Sequence, residues 1–287
     1  VAIRPSPTVR GRRLRYELRQ LRESLGLTIE QVASRSEADF STSAISRWEK
    51  GERRIRPADL RVLLEIYGVD DSKREVLLTL ARDARQRGWW HSYGAVIPNW
   101  FQFFVGLEAE AASAHAYESE LIPGLLQTPD YYRAYLRAAP AAGTPDEIEH
   151  KIQVRSVRQQ RLTEENPLKF WAVVNEAVIR RVVGSAETMR DQLRHVAELA
   201  RQAHVSVQVL PFKAGAHPAM DGSFTILDFP EPSDPDVVYL ENQTGSLYLE
   251  EAPQIERYTL MFNYLIAKAL DPDESLTMIT HLAEDLS

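Results

Sequence analysis

The sequence predicts an all-α N-terminal unit of five short helices, followed by a larger α+β unit with a small, mainly antiparallel sheet. Three observations predict this. Leucines recur at helical spacing through the N-terminal part, punctuated by Gly26, Gly51 and Gly68. Runs rich in β-branched and aromatic residues begin only near Phe170. Charge divides the chain as well: residues 1–88 carry 19 Lys+Arg and 13 Asp+Glu (+6), whereas 89–287 carry 15 and 28 (−13).

In the first helix Leu14, Leu18, Leu21 and Leu25 mark a core stripe among many arginines, and Gly26 ends it. Thr28 with Gln31 three residues later reads as a capping box, opening a second helix with Ile29, Val32 and Ala33 inward. Ser34 to Asp39 reads as a turn. Ser41 or Thr42 caps a third helix, 42–50, stopped by Gly51. Pro57 opens a fourth, with Leu60, Leu63, Leu64 and Tyr67 inward. Ser72 to Arg87 forms a fifth, with Val76, Leu77, Leu80 and Ala84 inward. The boundaries so drawn are 1–88 for this head, 89–99 for a linker and 100–287 for the body. The Trp89-Trp90 pair reads as a packing anchor.

In the body, a helical stripe runs from Phe101 through Phe104, Leu107 and Glu108 to His115. Thr128 and Pro129 start another helix. Glu147 to Leu162 is a charged helix whose Arg155, Arg158 and Arg161 read as a solvated or interfacial face, with anion binding as the alternative. Strands follow at 170–175 and 205–210, separated by helices at 176–183 and 187–203. Short strands at 223–229, 237–241 and 246–250 read as a meander, and helices at 253–270 and 275–286 close the chain.

Composition bounds the chemistry. The 287 residues include no cysteine, which excludes disulfide scaffolds, Cys-ligated zinc, iron–sulfur clusters and thiol catalysis. No apolar run approaches the ~20 residues of a membrane span, and Val1 to Pro5 does not read as a signal peptide; a cytoplasmic protein is expected. The net charge of −7 conceals a basic head in which, over 1–68, every basic residue except Lys50 is arginine. Arginine is the residue suited to forked contacts with phosphate and guanine.

Two short helices joined by a tight turn and flanked by arginine follow the helix-turn-helix plan. With Ile45 and Trp48 inward, Thr42, Ser43, Ser46, Arg47 and Lys50 share the opposite face of the third helix. Small hydroxyls allow close approach to a major groove, and an arginine can fork onto a guanine edge. The segments Gly26 to Ala33 and Ala44 to Gly51, with Pro57, resemble the Xre/phage-repressor family of regulators. The resemblance implies base reading by Thr42, Ser43 and Arg47 with Ser46 nearby, and phosphate contacts by Lys50, Arg53, Arg54 and Arg56. It also implies a structural pair, Arg22 with Glu49. Two features depart from the family: a longer turn without its customary glycine, and Ile29 where many relatives carry glutamine.

In the body, Ile122-Pro123-Gly124-Leu125-Leu126-Gln127-Thr128, Arg158-Gln159-Gln160-Arg161-Leu162, Val207 to Phe212, Gly222 to Leu227 and Val238 to Glu241 occur in order. This part resembles the C-terminal domain of WhiJ-like, antitoxin-like transcriptional regulators of actinobacteria. The resemblance implies control of development or secondary metabolism, often with a small protein from a neighbouring gene.

An enzyme would have to use the loop 215–222, with His217 and Asp221, and Glu241 on a nearby strand as metal ligands or acid–base groups. No HExxH, P-loop, GxGxxG or GxSxG pattern accompanies them. The expectation is therefore a non-enzyme without cofactor or metal. A small-molecule effector pocket would draw on Trp171, His217, Asp221, Phe224 and Tyr239, with Tyr248, against core packing as the ordinary role of the aromatics. The expected partners are double-stranded DNA and a second copy of the chain, with a small partner protein or an effector as further possibilities and no membrane.

Overall fold

A computed structural model describes residues 7–37, 39–94, 96–138, 143–231 and 234–286. The leader reading at Val1 to Pro5, Ala38 of the turn and Ala95 of the linker lie outside the described residues. The chain divides into two compact units, Val1–His91 with Glu231–Asp234, and Ser92–Pro230 with Pro235–Ser287.

The first unit is helical: α1 (Pro7–Ser24), α2 (Ile29–Arg35), α3 (Thr42–Lys50), α4 (Pro57–Ile66) and α5 (Asp71–Asp83). Each start has a local cause. Thr28 and Gln31 form a reciprocal capping box on α2, Ser41 accepts from the Ala44 amide at α3, Pro57 occupies the first turn of α4, and Asp70 caps α5. Leu14, Leu18, Val32, Ile45, Trp48, Leu60, Leu63, Leu64 and Leu77 close one core, with Leu21 and Leu80 packed at its edge. Two expected core residues are corrected. Leu25 is 49% exposed because α1 has ended before it, and Val76 is 61% exposed, since α5 turns Leu77, Leu78 and Ala81 inward. Beyond α5, Trp89–Tyr93 form a 3-10 turn in which the Trp89 and Trp90 rings meet edge to face.

The second unit runs α6 (Asn99–Glu108), β1 (Ser113–Glu118), α7 (Pro129–Ala138), α8 (Pro145–Gln159), β2 (Lys169–Asn175), α9 (Glu176–Arg180), α10 (Ala186–Leu199), β3 (Val205–Leu210), β4 (Phe224–Asp228), β5 (Val237–Asn242), β6 (Gly245–Leu249), α11 (Ala252–Lys268) and α12 (Pro272–Asp285). The sheet order is β3-β2-β1-β4-β5-β6. β1, β2 and β3 are parallel; β1-β4-β5-β6 pair antiparallel, so the sheet is mixed with antiparallel pairs in the majority.

Strand β1 corrects the sequence reading, which carried the α6 helix on to His115. Its sequence, Ser-Ala-His-Ala-Tyr-Glu, has little β preference of its own; pairing on both sides, Tyr117 with Val173 and with Phe224, imposes the strand. Alternation then assigns faces. His115, Tyr117, Trp171, Phe224 and Ile226 face α11 and its Phe262 and Leu265. Ala114, Ala116, Glu118, Thr225, Tyr239 and Tyr248 lie on the other face, where Phe104 of α6 stacks on Tyr239 at 4.2 Å.

The arginines of α8 are a second correction. Arg158 is buried and pairs in two-pronged fashion with Glu108 of α6 at 2.7 and 2.8 Å. Arg161 is buried too, donating to Glu164 and to the Ala111 carbonyl. The i, i+3, i+6 spacing that reads as a solvated or interfacial stripe is thus no solvated face: it carries Arg158 to the Glu108 carboxylate and the Phe104 ring of α6, and Arg161 to the Ala111 carbonyl. The 122–128 segment is held by glutamines: Gln127 donates to Ile122, Gln159 to Gln127 and Gln192 to Leu126, at 2.6–2.7 Å. Gly124 permits the closest approach, since a Cβ there would lie 2.5 Å from Nη1 of Arg155.

Candidate nucleic-acid interface

Helix α3 is anchored by what it buries. Ile45 and Trp48 sit in the core, and Phe40 packs edge-on against Trp48 at 5.0 Å. The longer turn before α3 has its own logic. Phe40 fills the core while the buried Ser36 hydroxyl accepts from the Phe40 amide at 3.1 Å and donates to Ala33. In place of glycine, Glu37 takes the positive φ of 51°.

With that side fixed, Thr42, Ser43, Arg47 and Lys50 are exposed and Ser46 is half-buried. At about 100° per residue they share an arc of roughly 140° opposite Ile45 and Trp48. Arg47 folds back along the helix, its Nε donating to the Ser43 carbonyl at 3.0 Å. This exposed bond is cheap to exchange for a base edge. At the end of α3, Lys50, Arg53 and Arg54 are exposed, and among the described residues none has a carboxylate within 4.0 Å. Arg56 differs. It forks onto Asp59 at 2.8 and 3.0 Å, which raises its pKa and offsets its charge.

Arg22 and Glu49 meet across α1 and α3. Nε to Oε1 is 2.7 Å and Nη2 to Oε2 is 3.0 Å, while Nη1 donates to the Leu27 carbonyl at 2.8 Å. The Glu49 hydrogen bond, against the cost of burial, lifts the Arg22 pKa above its ordinary value. Glu49 is thus turned toward α1 while Lys50 beside it is exposed. Sequence reasoning missed one partner of this helix. Arg15 donates to the Lys50 carbonyl at 3.2 Å, across a Gly51 whose φ is 75°. Only long-range packing of α1 on α3 brings them together; the sequence signal was confined to Gly51.

In the body, the structure separates the residues proposed for an effector pocket. Trp171 and Phe224 face α11, with the Trp171 indole donating to Gln208 at 2.9 Å. His217 lies near the Tyr117 hydroxyl on that same face at 3.4 Å, and burial lowers its pKa. Asp221 is exposed, and Tyr239 lies on the opposite face bonded to Glu241 at 2.8 Å. Among the described residues no group of three His, Asp or Glu side chains is placed to hold a metal. An open groove of about 620 Å³ that the sequence did not reveal runs between α9 and α12, lined by Arg180, Asp273, Glu274, His281 and Asp285. No helix among the described residues is long and apolar enough to cross a membrane.

Comparison with known proteins agrees with the division of the chain. Residues 13–77, spanning α1 to α5, match a helix-turn-helix domain, the module of DNA-binding regulators. No curated protein and no solved structure matches the chain. Residues 101–281 match the family described as a domain of unknown function, DUF5753, and since that match covers more than half of the chain, the protein belongs to this family.

Proposed function

We propose that this chain is a sequence-specific transcriptional regulator of the Xre type, acting in the cytoplasm as a homodimer and carrying out no catalysis. Helix α3 enters the major groove, and the WhiJ-like body dimerises or receives a signal. The observation that carries the reading is the face of exposed Thr42, Ser43, Arg47 and Lys50, with half-buried Ser46, set opposite Ile45 and Trp48. One such head reads few bases, so paired half-sites favour a dimer. A mobility-shift assay with the upstream region of its own gene tests this. The protein alone binds, Arg47→Ala weakens binding about 5- to 150-fold, and affinity falls steeply with salt as arginines displace counterions. Salt-independent binding would refute the phosphate roles of Lys50, Arg53 and Arg54, and a monomer by light scattering at micromolar concentration would refute the dimer.

A second reading, an antitoxin-like protein whose body captures a small basic partner and whose head serves autoregulation, draws on the −13 charge of 89–287 and the acidic groove along α12. Shifting of the probe only when the product of a neighbouring gene is added would favour it.

A further inference from the structure

The sheet face under α6 carries a polar cluster that neither the core nor the DNA-binding reading uses. β1 ends there in Glu118, β5 contributes Glu241, and β6 brings in Ser246. α8 carries Arg155, whose guanidinium lies 3.6 Å over the Tyr132 ring of α7. Tyr132 is stacked in turn with Tyr135 at 6.2 Å. Arg155, Glu118 and Tyr132 are half-buried, whereas Tyr135 and Glu241 are exposed at the rim.

Arg155 is not paired as a structural buried arginine is. One turn away, Arg158 holds Glu108 with two short hydrogen bonds. Among the described residues Arg155 has no carboxylate within 4.0 Å, and its Nε is buried without a hydrogen-bond partner. Ser246 Oγ is likewise buried and unpartnered. Groups left in this state are costly unless something supplies the missing partner. Glu118 shows the same tension. Burial pushes its carboxyl up to about 7; the Ser223 hydroxyl and Arg155 oppose the rise, and Glu241 adds to it. The register sets Glu118 and Glu241 on one face of the sheet, since Ala116 pairs with Thr225 and Thr225 with Tyr239, and the Arg155 charge acts on Glu118.

The position in the fold suits a ligand. β1 lies between a parallel neighbour, β2, and an antiparallel one, β4, and Glu118 is at its carboxyl end. Ligands of open α/β sheets bind outside strand carboxyl ends where the strand order reverses. With Arg158 and Glu108 cancelling, one cation remains against two carboxylates. A dianion such as phosphate is repelled by that balance, whereas a molecule with an acid group and an amine satisfies every member of it.

We propose that this cluster binds a small zwitterion of amino-acid type, with its carboxylate on Arg155, its ammonium on Glu118 and Glu241, and its side chain along Tyr132 and Tyr135. The proposal rests on the reading that the body receives a signal, and it moves the effector site to the sheet face opposite Trp171 and Phe224. Isothermal titration of the full chain at pH 8, without DNA, against the proteinogenic L-amino acids is the test. At least one binds at sub-millimolar concentration, on the order expected of a few charge-assisted contacts. Arg155→Gln and the isosteric Glu118→Gln each weaken it at least about tenfold, while Glu256→Gln, on the exposed side of α11, leaves it unchanged. Affinity also falls as pH drops below 7 and Glu118 takes up a proton. Absence of binding by every amino acid of the panel, or affinity that survives Glu118→Gln, overturns the proposal. DNA binding is scored separately by mobility shift, so failure of the head and failure of this site are distinguishable.

Discussion

Glu49 lies near the end of α3, the helix proposed to enter the groove, and whether it reads DNA or holds the head together is decided by what its removal does. Glu49→Gln keeps the shape but removes the charge opposite Arg22. The pair is nearly enclosed, with side chains 12% and 10% exposed, and makes two short hydrogen bonds. Orphaning one partner of a fully buried pair costs about 3–5 kcal/mol. With slight solvent access and the Leu27 carbonyl retained by Arg22, about 2–4 kcal/mol is expected here. Hydrogen–deuterium exchange of α2 and α3 amides reads this locally, whatever the body does. At 1.4 kcal/mol per tenfold, exchange should accelerate by about 30- to 700-fold. A double variant, Arg22→Leu with Glu49→Leu, should lose less than either single change, since no charge is left unpaired. If Glu49→Gln exchanged at the wild-type rate yet lost affinity for DNA, the structural assignment would be wrong and Glu49 would belong to the interface.

Three further outcomes are expected. Gly51→Ala places a Cβ 1.5 Å from Nη1 of Arg15 and forces alanine into a left-handed conformation; a loss of about 1–3 kcal/mol should appear as faster exchange at the end of α3, and unchanged exchange would show that Arg15 does not cap it. Arg158→Met leaves Glu108 buried alone and should cost the body about 3–5 kcal/mol in urea unfolding, most of it recovered by adding Glu108→Leu; a neutral single variant would refute the pairing. Glu118 gives the body a pH dependence. Its carboxyl is raised from 4.5 to about 7 by burial, so below pH 4.5 both folded and unfolded chains hold the proton and nothing is lost. As pH rises to 7 the unfolded chain releases the proton first, and stability falls by at most about 3 kcal/mol. Urea midpoints from pH 4 to 8 measure this, and a slope that persists in Glu118→Gln would assign the titration to another group.

Much of the head was legible because its signals are local. Thr28 with Gln31, Ser41, Pro57 and Gly51 act on backbone groups within a turn of themselves, so they mark helix ends wherever the chain folds. The body was legible where β-branched residues cluster, at β2 and β3, and misread at β1, where alanines and a histidine adopt a strand only because β2 and β4 flank them. The candidate effector residues were chosen by type, and period-two alternation distributed them over two faces that type alone cannot tell apart.

The sequence by itself therefore determined the two-part organisation, the helical head with its hydroxyl- and arginine-bearing third helix, and the opposite charges of the two parts, because these depend on composition and on spacings within a few residues. Only the tertiary structure decided which arginines are partnered. Beyond the Arg22–Glu49 pair that the resemblance implied, Arg15 reaches the end of α3, Arg158 finds Glu108, and Arg155 is left without a carboxylate in contact. A charge's partner is set by which elements cross in space, and residues 50 positions apart in the chain carry no local trace of that meeting.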